Sequence, residues 1–123
     1  MPAKLLFTIV LAGVFAVSPA TAQTDRGMAV LSAVVAADGT TARGAGVLSS
    51  AGEGAGIYLV TFNRDIRDCT YMASVGGTGF ESYLDSRVSV AWGVTTPEEI
   101  FVNTYAGGVF AALPFHLIVF CAR

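Results

Sequence analysis

The chain has 123 residues, 54% of them hydrophobic and 13% charged, with 7 basic against 9 acidic side chains. That length allows one domain, and the net charge of −2 argues against nucleic acid or an anionic membrane as partner, since both need clustered positive charge. One histidine and two cysteines are a poor supply for zinc, which normally takes three or four ligands.

In chain order the first stretch is MPAKLLFTIVLAGVFAVSPATAQ. Lys4 precedes an apolar run over residues 5–17, which Ser18, Pro19 and then Ala20, Thr21 and Ala22 follow. A basic start, a short apolar middle and a small-x-small ending describe a secretory signal peptide, residues 1–22, cut after Ala22. Read as a membrane anchor the run is too short, because a helix needs about 20 residues to cross a bilayer. Residues 23–123 are therefore expected to form one secreted or periplasmic domain with no membrane anchor after cleavage. Without Lys4 its charges are six arginines against nine carboxylates, a net −3. No lysine is left in it for Schiff-base chemistry.

From there the pattern is that of strands. The alanine-rich segment 28–36 reads as a strand closed by the turn ADGT (37–40), with a helix over 28–35 as the alternative. Glycine-rich pieces (RGAG, AGEGAG, VGGTG, YAGG) punctuate the chain and read as turns. GIYLVTFNRDI and RDCTYMASVGG give two strands joined around the charged turn NRDIRD. SRVSVAWGV alternates, with Val88, Val90, Trp92 and Val94 on one face. After Thr96 and Pro97, EIFVNTYAGG sets Phe101, Asn103 and Tyr105 against Val102 and Thr104, and PFHLIVFCAR ends the chain as a last strand. Valine, isoleucine, threonine and aromatic residues dominate these runs, as pleated surfaces prefer. The count points to an all-β single-domain β-sandwich, or a short Greek-key or jelly-roll-like barrel, of six to eight strands. A transmembrane barrel needs at least eight strands of about ten residues each, more than this chain supplies.

In an exporting compartment two cysteines usually pair, so Cys69 and Cys121 are expected to form a disulfide. Both fall on the more apolar faces of their strands, Cys69 with Tyr71, Ala73 and Val75, and Cys121 with Phe115, Leu117 and Val119. A metal site is the competing reading.

Chemistry is sparse. His116 lies on the other face of the last strand with Ile118 and Phe120, and no neighbour supplies the nucleophile and orienting carboxylate of a catalytic histidine. Asp65 and Asp68 stand beside Arg64 and Arg67, as compensated surface charges do. A small secreted hydrolase using those two carboxylates is the enzymatic alternative, and a protease-inhibitor-like protein presenting a rigid loop over 76–83 is a second. No catalytic residue, cofactor or metal ligand is assigned. Two strands are apolar on both faces, which makes Ile57, Leu59, His116, Ile118 and Phe120 a candidate interface for a protein or glycan ligand or for self-association. Cover by the N-terminal segment would explain the same pattern.

Three segments carry a resemblance: ADGTTARGAGV (37–47), GIYLVTFNRDIRDCTYMASVG (56–76) and PFHLIVFC (114–121). In order and spacing the chain resembles a family of uncharacterised exported bacterial all-β modules. Their pattern is ADGTxxRGxGV, then GxYxVxFxRDVxxCxYxA, then PFHLxVFC. Ile66 replaces the usual valine, Thr41 stands where an apolar residue is commoner, and 79–97 matches loosely. The resemblance implies an extracytoplasmic all-β fold with paired cysteines at Cys69 and Cys121, and it implies no activity, cofactor or site. Taken together, the sequence leads to an exported, non-enzymatic binding or structural module of the bacterial periplasm or cell surface.

Overall fold

The computed structural model describes residues 27–122, together with Gly13. Apart from Gly13, the expected signal peptide lies outside those residues. The described chain forms nine strands and no helix. They are β1 (Met28–Val35), β2 (Thr41–Ala45), β3 (Val47–Gly54), β4 (Ile57–Phe62), β5 (Thr70–Val75), β6 (Ser86–Trp92), β7 (Glu99–Ala106), β8 (Val109–Phe110) and β9 (Phe115–Ala122). All pairings are antiparallel. One sheet has the order β2-β1-β9-β5; the other has β3-β4-β7-β6, with β8 paired to β7.

The expected all-β sandwich with one disulfide is present. The alanine-rich segment is strand, not helix: it pairs with β9 from Met28↔Ala122 to Val35↔Phe115. The strand count exceeds the expected six to eight because the two-residue β8 follows Gly107 and Gly108, and part of the glycine-rich stretch read as turns folds as β2 and β3. The reason is close approach. A Cβ on Gly39 would collide with the backbone of Gly52, and one on Gly44 would collide with the carbonyl of Ser32. Glycine here lets backbones meet inside the fold rather than marking a break. At Gly46 (φ 71) the chain passes from the first sheet to the second beside Leu31.

The inner faces come mainly from the four central strands. Leu31, Ala33 and Val35 of β1 and Phe115, Leu117, Val119 and Cys121 of β9 meet Tyr58, Val60 and Phe62 of β4 and Ile100 and Val102 of β7. Each strand buries every second residue, as a pleat must when one face is covered. Edge strands β5 and β6 add only half-buried residues, including Tyr71, Ala73, Val88 and Val90. Trp92 shares the face of Val88 and Val90 yet is 54% exposed, and Val94 lies past the strand end in solvent. Two buried hydroxyls are paired: Thr104 Oγ1 donates to the Ala111 carbonyl at 2.6 Å, and Tyr58 Oη to that of Ala37 at 2.7 Å, whereas Glu99 Oε2 and Asn103 Oδ1 on β7 are buried without a hydrogen-bond partner.

Cys69 and Cys121 are joined, with Cα atoms 4.5 Å apart and a sequence separation of 52. Because Thr70 pairs with Phe120, the bridge ties neighbouring chains of one sheet and does not cross between the layers. Nearby, Ile66 at the centre of the charged turn is fully buried. The Ile66 amide donates to the Pro97 carbonyl at 3.0 Å, and the Cys69 amide donates to the Ile66 carbonyl at 3.0 Å. The turn is thus a plug on the core, charged outside and apolar within.

Candidate functional site

The five candidate interface residues lie on two surfaces. On the outer face of the first sheet, Phe120 sits between Val30 and Thr70, Ile118 between Ser32 and Met72, and His116 between Val34 and Ser74. Ile57 and Leu59 lie on the outer face of the second sheet, Leu59 between Ala51 and Phe101. The core separates the two groups, so they form two faces and not one.

His116 works as a tether. Its Nε2–H donates to the Gly77 carbonyl at 2.8 Å, which fixes the start of the loop 76–85. Beside the ring the outer face dips into an open, mostly apolar hollow of about 340 Å³, lined by Ser32, Val34, Met72, Ser74, His116 and Ile118.

Loop 76–85 has no regular structure but is pinned along its length. The Gly76 amide donates to Pro114 at 3.1 Å and the Gly77 amide to Glu81 at 3.0 Å. Arg43 reaches across to the Thr78 carbonyl at 2.9 Å, and Ser86 Oγ donates to that of Tyr83 at 2.9 Å. The Glu81 carboxylate turns back to accept the Gly79 amide at 2.9 Å, and backbone amides, its own first and that of Gly79 next, hold its carboxyl below the usual range. Gly77 is required by this turn, since a Cβ there would strike Glu81. On this backbone Phe80 and Leu84 stand almost wholly in water.

Next to the loop, β7 and β8 meet in a two-residue turn, Gly107 (φ 57) and Gly108 (φ 82), whose left-handed backbone matches the twist of a tight hairpin. The Gly107 amide donates to the Asp85 carbonyl at 3.2 Å. On the outer face Tyr105 stacks on Phe110, centroids 4.8 Å apart and planes 26° apart. The guanidinium carbon of Arg87 lies 4.6 Å from the Tyr105 centroid. Arg87, Tyr105, Asp85, Ser86 and Gly108 line a second open hollow, about 230 Å³. A planar cation, an aromatic ring and a carboxylate at one depression are groups that grip polar ligands with apolar faces, sugars among them.

Asp65 and Asp68 do share a depression, about 400 Å³, with Arg64, Cys69 and Ala122. Asp65 pairs with Arg67 at 2.9 Å with both side chains at least half exposed. The Arg67 hydrogen bonds hold its carboxyl below the ordinary value, so it is a poor proton donor, whereas a hydrolytic acid needs its pKa raised. Among the described residues no three His, Cys, Asp or Glu side chains gather as a metal site does, and no helix is long and apolar enough to cross a membrane.

Sequence reasoning placed a rigid loop at 76–83 but missed the Arg87–Tyr105–Phe110 stack. Alternation set Tyr105 on one face with Phe101 and Asn103, but its adjacency to Arg87 depends on the β6–β7 register, Arg87↔Tyr105, which no local pattern encodes. The site and fold together define a disulfide-locked antiparallel β-sandwich bearing one loop-rich pole. No protein-family model, curated protein or solved structure matches the chain.

Proposed function

We infer that this is an exported binding or structural module of the bacterial periplasm or cell surface, without enzymatic activity, released by removal of residues 1–22. Its resemblance to exported all-β modules agrees with that reading, and so does the Cys69–Cys121 bridge, since disulfides persist outside the cytoplasm. The observation that carries the binding role is the loop-rich pole, where loop 76–85 and β8 keep Phe80, Leu84, Val109 and Phe110 in solvent on a backbone pinned by hydrogen bonds. Preorganised aromatic groups lower the entropic cost of binding. The half-exposed Phe110 ring, stacked on the Tyr105 that Arg87 covers, favours a glycan as ligand.

A glycan array probed with the oxidised, exported protein tests this. Binding that Phe110→Ala and Arg87→Ala each remove supports a ligand site at the pole. The absence of any glycan ligand under oxidising conditions counts against it and leaves the structural role. Mass spectrometry of the exported product, with and without reductant, checks cleavage after Ala22 and the bridge together.

A further inference from the structure

We propose that the protein self-associates as a two-fold dimer in which Phe80 of each copy enters the apolar hollow on the first sheet of the other. Both halves of the contact are present on one chain, side by side. The knob is Phe80, almost wholly exposed on a turn that the Gly77–Glu81 hydrogen bond closes. The hole is the depression of about 340 Å³ between β1, β9 and β5, at the lower limit of pockets that take up small apolar groups.

His116 links them. Its ring lines the hollow, while its Nε2–H holds Gly77 at the base of the Phe80 turn. Arg43, on β2 at the same sheet, holds Thr78 from the other side. The turn is therefore fixed beside its own hollow but does not fill it. A two-fold axis running past His116 places each knob over the opposite hole, which is the self-complementary arrangement of a closed dimer.

Charge agrees. The outward residues of β1, β9 and β5, from Val30 and Phe120 at one end to Val34 and Ser74 at the other, include no carboxylate, lysine or arginine. Arg43 of β2, paired with Val34 on the same outer face and turned to the Thr78 carbonyl, is the one charge there, so in a chain of net negative charge two copies meet on this face without opposing carboxylates. The Glu81 carboxylate beside Phe80 is occupied by the Gly79 amide and needs no partner. A bilayer is the poorer occupant, since membrane-seeking apolar loops carry basic residues and here Glu81 and Asp85 flank the exposed side chains. A contact made of one loop and one sheet face lies at the small end of specific interfaces, so association should be reversible and concentration-dependent.

Sedimentation velocity of the oxidised, exported protein over a range of concentrations is the test. The expected result is a monomer–dimer equilibrium whose dissociation constant rises about tenfold or more in Phe80→Ala and in Met72→Asp, as loss of a central anchor does, with Phe110→Ala unchanged. Mixing the first two variants should restore part of the association, because one intact knob then meets one intact hole. Matching thermal melts show that both variants fold. A protein that stays monomeric, a dimer indifferent to both substitutions, or a mixture no better than its components overturns the proposal. None of these results touches the glycan reading, which Phe110 and Arg87 carry.

Discussion

At one pole of the sandwich β1 begins, β9 ends and the charged turn 63–69 folds in; at the other lie the turns 36–40 and 53–56, loop 76–85 and the β7–β8 hairpin. The first pole is closed by covalent and apolar means, with the Cys69–Cys121 bridge and the buried side chain of Ile66. The second is held by hydrogen bonds from His116, Arg43, Glu81 and Ser86, and it leaves Phe80, Leu84, Val109 and Phe110 in water. A disulfide and a buried plug secure the fold. Hydrogen bonds that fix a backbone while its apolar side chains stay exposed contribute little to stability and set a shape instead. The difference separates the part of the molecule that resists unfolding from a part whose shape is held while its apolar side chains stay open to solvent.

Substitutions at the two poles sharpen that contrast. The largest effect is expected from replacing both cysteines by alanine, which should lower unfolding free energy by about 4 kcal/mol in urea titrations, the chain-entropy value for a loop of this length. A loss well under half of that would show that the bridge does not secure the first pole. Ile66→Ala should cost about 3 kcal/mol, as removal of a buried aliphatic side chain does, whereas Leu84→Ala at the opposite pole should stay within about 0.5 kcal/mol. Equal losses at the two would erase the distinction.

Gly108→Ala comes next. Nothing lies within 4 Å of the added Cβ, so its cost is conformational alone, about 1.5 kcal/mol for a left-handed residue, visible as a lower melting temperature. His116→Ala removes one tether and should cost about 1 kcal/mol. Its clearer readout is faster amide exchange and protease cleavage confined to 76–85, and unchanged exchange there would deny His116 its role.

The smallest effect belongs to Asp65, whose carboxyl Arg67 holds below the ordinary value of 3.8. The folded state then takes up the proton less readily than the unfolded one. Its contribution is complete above that ordinary value and is lost as pH falls through the lower folded one. Asp65→Asn should therefore flatten the acid limb of stability slightly and leave the most acid points unchanged in denaturant titrations against pH. A steeper limb would reverse the sign.

Period-two alternation left a helix open for the alanine-rich β1 but was enough to mark β4, β7 and β9 as strands, because central strands bury one face along their whole length. It failed at β2 and β3, where Gly44 and Gly52 serve backbone contact and imitate turn signals. It was also uninformative for Trp92, since an edge strand buries too little for its pattern to predict exposure. The aromatic stack was hidden for a different reason: Arg87 and Tyr105 are 18 positions apart, and pairing register alone makes them neighbours.

From the amino acids alone follow six of the strands, the all-β class and the pairing of two cysteines, because alternation is local and two sulfurs allow a single partner. Tertiary structure decided that the doubly apolar strands present two separate outer faces, that Ile66 plugs the core, and that His116 binds a loop carbonyl. These depend on which strands become neighbours and in what register. Packing of residues far apart in the chain sets both, and no short window of sequence contains that information.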